Sequence, residues 1–205
     1  GIEEDGGVLE QVITDKGEYK FDCIVNDTDV HYFYSNLLKD RRLFKKQLEP
    51  EKSSSALIFF WGVMNRFPDL KLHNILFSNN YQSEFDHLFN QKLIYKDPTV
   101  YIFIGSKAVP DDAPFGSENW YVMINAPENT GQNWSKLIKH ARKNIVLKIN
   151  RMLGVNIERF IAYERVMYPG TIEENTSSWH GSLYGNSSNG KYAAFNRPPN
   201  FSRKY

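Results

Sequence analysis

Several residue patterns that carry site chemistry are missing from this sequence. Its single cysteine, Cys23, excludes an intrachain disulfide and a cysteine-based metal cluster. The five histidines are scattered singly, and the sequence has no closely paired carboxylates, no Gly-x-Ser-x-Gly turn and no cysteine-histidine pair. Hydrolytic and metal-dependent mechanisms therefore have no support, and neither a metal site nor a catalytic residue is predicted.

Long apolar runs and an excess of one charge are also lacking. The longest apolar run covers residues 56–64, whereas about 20 apolar residues are needed to span a bilayer. The formal net charge of +1 does not indicate a nucleic acid or an acidic partner. We see no signal peptide and expect a cytoplasmic chain. Because the sequence begins with Gly1 rather than methionine, we expect a piece of a larger protein.

Aromatic and aliphatic residues, by contrast, are plentiful. Aromatics make up 15% and hydrophobic residues 41% of the 205 residues. This is enough for one well-buried core with a small appendage. The aromatic content indicates either a filled core or a large apolar pocket.

The first part of the chain predicts a hairpin followed by a short helix. Apolar residues alternate over Val8–Thr14 and again over 19–26, with a turn between them. Cys23 falls within the second strand, so a buried structural thiol is expected there. A capped helix should cover 30–38.

The middle of the chain predicts a sheet. Strand patterns occur over Ser55–Val63 and over 72–77, 99–105 and 119–126, with a helix over 81–90. A further helical turn and strand should occupy 157–168. Successive strands with short helices between them favour an α+β domain with a mostly antiparallel sheet and helices packed mainly on one face.

The longest predicted helix covers residues 133–153. Apolar residues spaced three and four apart form one side of it. The charged residues on its polar side are all basic: Lys136, Lys139, Arg142, Lys143, Lys148 and Arg151. A solvated helix packed on the sheet is the default interpretation. Contact with an anionic membrane surface, worth about 1 kcal/mol per basic residue near the lipid, is the alternative.

Several motifs follow one another in a fixed order along the chain. They are Ser-Ser-x-x-x-Phe-x-x-Gly from Ser54, Leu-x-x-His-Asn-x-x-Phe from Leu70, Asp-Pro-Thr-x-Tyr from Asp97, Ala-Pro-x-Gly-x-Glu-Asn from Ala113, Gly-Ser-x-x-Gly from Gly181, and Ala-Ala-Phe-x-Arg-Pro-x-Asn from Ala193. In sequence and spacing this set resembles the phytoene desaturase-like family of FAD-dependent oxidoreductases. The resemblance extends over most of the chain, from about Val8 to Asn200.

The resemblance implies part of a two-domain flavoprotein. Residues 1–27 resemble the last strands of the flavin domain, and 28–205 resemble the substrate-binding domain. The implied chemistry is hydride transfer between flavin and a long apolar isoprenoid of the carotenoid type. No Gly-x-Gly-x-x-Gly turn is present, so most of the FAD site is expected outside this chain. The chain alone should then be colourless and inactive.

The resemblance also implies positions for cofactor and substrate. The residues expected near the flavin are Gly181, Gly185, Arg197 and Asn200, lying together beside the end of the 23–26 strand. One face of the sheet is expected to line the substrate channel, with wall residues Phe59, Trp61, Tyr101, Phe103, Tyr121 and Met123. Tyr184, from the Gly-Ser-x-x-Gly motif, is also expected to bind substrate. His73 is expected to hydrogen-bond locally beside Asn74, with proton transfer as the alternative.

Other functions remain open at this point. A carotenoid isomerase or a retinol saturase-like reductase of the same superfamily would use a similar domain. A relative acting on another small apolar molecule is a further possibility. Outside the redox enzymes, the chain could be a stand-alone module that binds an apolar ligand. The particular substrate, the electron acceptor and the oligomeric state are not determined by the sequence.

Overall fold

The computed structural model describes residues 1–5, 8–40 and 51–190 and the single positions 42, 45, 193 and 201. The chain divides into two compact units. Unit 1 comprises Gly1–Ser53 together with Ile172–Tyr205, and unit 2 comprises Ser54–Thr171. The division into 1–27 and 28–205 refers to a flavin domain and stays a prediction.

Unit 1 begins with a three-stranded antiparallel sheet. Strands β1 (Ile2–Asp5), β2 (Val8–Thr14) and β3 (Gly17–Tyr19) pair in that order. A two-residue turn joins β2 to β3, and Gly17 leaves it with a positive φ of 138°, a conformation that glycine adopts at little cost. The predicted hairpin is therefore present.

The second strand of that hairpin is shorter than the sequence indicated. β3 ends at Tyr19, and residues 20–27 form no strand. Cys23 is exposed, so the predicted buried thiol is wrong. Phe21 and Val25 are exposed as well. Alternating apolar residues form a strand only where a neighbouring strand pairs with their backbone groups, and residues 20–26 have no such neighbour in the described part of unit 1.

A short helix follows in unit 1. Helix α1 (Val30–Tyr32) continues directly as a wider π-helical turn, Phe33–Leu37. Its first turn is capped by Asp29, whose carboxylate accepts hydrogen bonds from the backbone N–H groups of His31 and Tyr32. The predicted helix over 30–38 is confirmed in position.

Unit 2 is built on a five-stranded antiparallel sheet. Its strands, in the spatial order β5-β6-β7-β4-β8, pair along their lengths. Their bounds are β4 Ser55–Val63, β5 His73–Leu76, β6 Val100–Ile104, β7 Glu118–Ala126 and β8 Ile161–Met167. The predicted α+β class is confirmed, and each predicted strand of this sheet is present within a few residues of its expected bounds.

Three further α-helices lie in the part of the chain that the structure describes. Helix α2 (Tyr81–Asp86) continues as a π-helical turn, His87–Gln91, and α3 (Trp134–Leu153) is the long predicted helix. Asn133 caps the start of α3, and Gly154 ends it in the left-handed conformation. The last helix, α4 (Pro169–Thr176), was not predicted, although a proline at the first helical position is a typical start signal.

The core of unit 2 lies between the sheet and α3. Alternate residues of β4, β6 and β7 point toward this helix and are buried, because side chains of a strand alternate between the two faces of its sheet. The helix contributes apolar residues at helical spacing, and the fully buried members on both sides include Phe59, Val63, Ile102, Ile104, Val122, Ile145 and Ile149.

Candidate functional site

The second face of the unit 2 sheet differs from the core face. We call it the aromatic face and define it by His73 and Ile75 of β5, Tyr101 and Phe103 of β6, Tyr121 and Met123 of β7, and Phe60 of β4. The strand register places these residues on one side, since the directly paired residues include His73 with Phe103, Phe103 with Tyr121, and Tyr121 with Phe60. All of them are half-buried or exposed.

Aromatic rings contact one another across four neighbouring strands of this face. The His73 and Phe103 ring centres lie 5.3 Å apart, those of Tyr101 and Tyr121 6.2 Å, and those of Tyr121 and Phe60 5.5 Å. Because neighbouring strands lie about 4.8 Å apart, the three spacings from β5 to β4 extend over about 14 Å. The face thus presents a long, mainly apolar surface.

His73 makes its hydrogen bond across the strands. Its Nδ1 lies 2.8 Å from the Tyr101 hydroxyl oxygen. Asn74 instead bonds to the backbone of Lys71 and Ile102. The prediction of a local bond beside Asn74 is therefore wrong, because residues 73 and 74 of a strand point to opposite faces.

Phe59 and Trp61 do not belong to the aromatic face. Their exposed fractions are 0% and 2%, and both lie in the core facing α3. The Trp61 indole donates a hydrogen bond of 2.6 Å to the Glu164 carboxylate. The expectation that these two residues share a face with Tyr101 is wrong. In the observed register Phe60, and not Phe59, pairs with Tyr121.

The late glycine motif of unit 1 forms a compact loop, which we call the 179–186 loop. It begins with a tight helical turn, Trp179–Gly181. Gly181 and Gly185 both have φ of 67°, so glycine suits these positions for its backbone conformation. A side-chain carbon placed on Gly185 would meet no atom of the described residues within 4 Å. There is therefore space above the backbone at Gly185.

This loop is tied to residues just before unit 2 begins. The Ser53 N–H donates to the Gly185 carbonyl at 2.9 Å, and the Tyr184 N–H donates to the Ser53 hydroxyl at 3.0 Å. The buried Lys52 ammonium donates to the Asn186 side-chain oxygen at 2.8 Å. The backbone of the loop is thus held in place, whereas the Tyr184 side chain is 75% exposed.

The remaining predicted cofactor residues, Arg197 and Asn200, lie outside the described residues. The expectation that the four cofactor residues lie together beside residues 23–26 therefore stays a prediction. The expectation that 23–26 form a strand is wrong, as described above.

The basic side of α3 is only partly available for an external partner. Arg142 pairs with Glu158 and Glu164. Lys148 is buried, pairs with Asp97 and donates to the carbonyls of Phe77 and Pro98. Four basic residues of the predicted set remain exposed: Lys136, Lys139, Lys143 and Arg151. Membrane contact through this helix stays a prediction.

The ion pair of Lys148 with Asp97 has a defined electrostatic effect. Burial alone would raise the pKa of Asp97, but hydrogen bonds from the Asn79 N–H and from Lys148, together with the charges of Lys148 and Arg151, lower this pKa below its ordinary value. The pair joins α3 to the segment before β6, so its role is structural.

The described residues provide neither a cluster of metal ligands nor a helix that could span a membrane. Among residues 1–5, 8–40 and 51–190, no group of three or more histidine, cysteine, aspartate or glutamate side chains is arranged to hold a metal ion. Within the same part of the chain, no helix combines the length and the apolar character needed to cross a bilayer.

Together these features define an α+β protein that presents an extended aromatic sheet face and a separate glycine-containing loop. No protein-family model matches the chain. It is 53% identical over 192 residues to the 1-hydroxycarotenoid 3,4-desaturase of Flavobacterium sp. (strain P99-3), a match covering 94% of this chain and 39% of the relative.

Two more distant relatives give the same result. The 4,4'-diaponeurosporene oxygenase of Staphylococcus aureus (strain bovine RF122 / ET3-1) is 32% identical over 179 residues, covering 83% of this chain and 35% of the relative. The phytoene desaturase of Fusarium fujikuroi is 26% identical over 195 residues, covering 85% of this chain and 34% of the relative. The chain belongs to the phytoene desaturase-like family of carotenoid oxidoreductases. It spans between 34% and 39% of the length of these curated relatives.

Proposed function

We propose that this chain forms the substrate-binding part of an FAD-dependent carotenoid desaturase. The aromatic face would hold a long apolar polyene with one carbon-carbon bond against the flavin. The observation that carries the proposal is the run of contacting rings from His73 to Phe60, which extends over about 14 Å.

The chemistry of a polyene suits such a surface. A polyene is flat, rigid and apolar, so it gains free energy mainly by leaving water, at about 25 cal/mol per Å² of apolar surface buried. Tyrosine and phenylalanine rings offer large contact areas with few rotatable bonds. Residues such as Tyr121 and Phe60 would therefore bind and orient the substrate and exclude water, rather than exchange protons with it.

Desaturation removes two hydrogens from adjacent carbons of the substrate. A bound flavin supplies the acceptor for the hydride, and the other hydrogen leaves as a proton. This family is generally FAD-dependent. In the chain itself, the residues proposed to face the flavin ring are Gly181, Gly185, Arg197 and Asn200, with Tyr184 beside them on the substrate side. The space above Gly185 and the fixed backbone of the 179–186 loop support this placement.

The names of the relatives support carotenoids as the substrate class. The three relatives described above are named for 1-hydroxycarotenoid, for phytoene and for diaponeurosporene. These names cover both desaturation and oxygenation. We propose desaturation because, of these three relatives, the one with the highest identity, 53%, is named a desaturase. A cytoplasmic location, with the exposed basic residues of α3 near a membrane surface, would fit an apolar substrate that partitions into lipid.

We expect Tyr121→Ala to weaken polyene binding. In a titration of the 205-residue chain with a linear C40 polyene hydrocarbon in detergent, followed by quenching of tryptophan fluorescence, the dissociation constant should rise about tenfold, since a central ring of the aromatic face is lost. Phe115→Ala is the matched control, because Phe115 is 98% exposed and lies outside the sheet. Equal affinity in the Tyr121 variant and the wild type would contradict the proposal.

We expect the chain purified alone to carry no stoichiometric flavin, because it has no phosphate-binding glycine turn. In the longer enzyme that contains it, Arg197→Ala should lower turnover or flavin retention with little change in thermal stability. The absorbance of the flavin bands measures the flavin content of the chain alone and the flavin retained by the Arg197 variant. A yellow chain with one flavin per molecule, or normal turnover by the Arg197 variant, would refute this part.

A further inference from the structure

One side of helix α2 carries a row of aromatic rings, which we call the α2 stripe. Tyr81, Phe85 and Phe89 recur every four residues through α2 and the π-helical turn after it. The ring centres of Tyr81 and Phe85 lie 4.6 Å apart and those of Phe85 and Phe89 5.9 Å. The rings contact one another because residues one helical turn apart lie side by side. Tyr81 is 56% exposed.

The α2 stripe is not the side by which the helix is attached to unit 2. That side carries Glu84 and Leu88, which are both buried. The Glu84 carboxylate accepts hydrogen bonds from the Thr99 N–H at 3.0 Å and from the Thr99 hydroxyl at 2.7 Å. Of the described residues that pack against the core of unit 2, none belongs to the stripe. Core packing therefore does not account for its rings.

Helix α2 crosses the ends of β5, β6 and β7. Just before the helix, the Asn79 N–H donates to the Asp97 carboxylate at 2.8 Å, between the end of β5 and the start of β6. Just after its π-helical turn, Lys92 pairs with Glu128 at 3.0 Å, shortly beyond the end of β7. The α2 stripe therefore runs in the same direction as the row of rings across the aromatic face.

The hand of the sheet places the α2 stripe on the side of the aromatic face. Ile104, which faces the core, donates its N–H to the Leu72 carbonyl beside β5. For L-amino acids, a viewer who sees β6 run upward with β5 on its left therefore looks at the aromatic face. A right-handed helix that crosses the lower strand ends from left to right, with Glu84 against the strands, turns the next residue, Phe85, toward that viewer.

We propose that the α2 stripe binds the part of a long polyene that extends beyond the strands. The inference rests on the proposed function, since it assumes that the aromatic face holds the polyene, and it adds residues that select substrates by length. The contacting rings of the sheet cover about 14 Å, which is shorter than an extended C40 polyene. Phe77, which is 68% exposed, directly follows β5 and continues the alternation of His73 and Ile75. Apolar side chains thus continue from the sheet toward Tyr81.

The test compares linear polyene hydrocarbons of 40 and of 20 carbon atoms. Both are titrated into the 205-residue chain in detergent, with quenching of tryptophan fluorescence as the signal. Phe85→Ala should raise the dissociation constant of the C40 polyene about fivefold, because one ring of the α2 stripe is lost. The same variant should leave the dissociation constant of the C20 polyene within about twofold of the wild-type value, because the sheet alone covers the shorter chain.

Gln82→Ala is the matched control. Gln82 is exposed and lies on a different side of α2, so this variant should bind both polyenes as the wild type does. Tyr81→Ala removes a ring of the stripe at an exposed position, where the fold loses little stability. Thermal unfolding checks that each variant is folded. If Phe85→Ala unfolds, Tyr81→Ala decides the question, since it should weaken binding of the C40 polyene alone.

The outcomes separate this inference from the proposed function. If the folded stripe variant binds the C40 polyene as tightly as the wild type, or if it weakens binding of both polyenes equally, selection by length through the α2 stripe is refuted. Weaker binding by Tyr121→Ala would then still support the aromatic face. If neither polyene binds the wild type, or if Tyr121→Ala affects neither, the proposed function fails and this inference fails with it.

Discussion

Replacing Phe59 by alanine is expected to destabilise the chain by about 3 to 5 kcal/mol, which is in the range found for large aromatic residues removed from cores. Phe59 is fully buried between β4 and α3 and packs against Trp61 with ring centres 5.8 Å apart. Removing the ring gives up the free energy gained by burying it away from water. It also leaves a cavity, so that the surrounding side chains lose their packing contacts with the ring. Urea unfolding of the 205-residue chain measures this change.

The neighbouring residue provides the matched control. Phe60 points to the aromatic face and is half-buried, so Phe60→Ala should lower the free energy of unfolding by only about 1 kcal/mol. The same variant should weaken polyene binding, whereas Phe59→Ala should leave the affinity of the folded fraction unchanged. Equal losses of stability in the two variants would mean that the two faces of β4 are not distinct as described.

Replacing Glu118 by alanine should have the second large effect, a loss of about 3 to 5 kcal/mol. Its carboxylate is 3% exposed. It accepts hydrogen bonds from the Trp120 indole at 2.9 Å and from the Phe67 N–H at 3.2 Å, and it pairs with Lys107 at 2.7 Å. The substitution leaves these three donors without their acceptor in a largely buried position.

Glu158→Ala is the control for this prediction. Glu158 is 51% exposed and pairs with Arg142 at the surface, and exposed ion pairs contribute at most about 1 kcal/mol. Thermal or urea unfolding compares the two variants. If Glu118→Ala unfolds at the same denaturant concentration as Glu158→Ala, the buried network around Glu118 does not stabilise the fold as argued.

These two residues also show what the family motifs mean physically. Phe59 belongs to the Ser-Ser-x-x-x-Phe-x-x-Gly motif and Glu118 to the Ala-Pro-x-Gly-x-Glu-Asn motif. Both lie inside unit 2 and hold its sheet, so neither is proposed to touch the substrate. His73 and Tyr101, from two further motifs, lie instead on the aromatic face. Resemblance alone does not separate these two kinds of residue.

Much of the fold could be predicted from local patterns. The β4 strand was predicted with its observed bounds, Ser55–Val63, and the long helix begins after the Asn133 cap and ends before Gly154. Alternation, helical spacing, caps and turn glycines are properties of residues close together in the chain, so the sequence carries them directly. The antiparallel arrangement followed from strands joined by short connections.

Only the tertiary structure decided which of these side chains share a surface. Whether Phe59 or Phe60 joins Tyr121 depends on strand register, and a shift of one residue moves every side chain to the other face. The bond from Trp61 to Glu164 joins residues 103 positions apart, and the burial of Lys148 depends on Asp97 and two carbonyls from another segment. Residues 20–26 have the pattern of a strand, but no strand of the described residues pairs with them, and Cys23 is exposed. The local sequence determined where the helices and strands form. Long-range pairing of the strands determined which side chains share a face of the sheet, because burial and hydrogen bonding are completed only by residues distant in the chain.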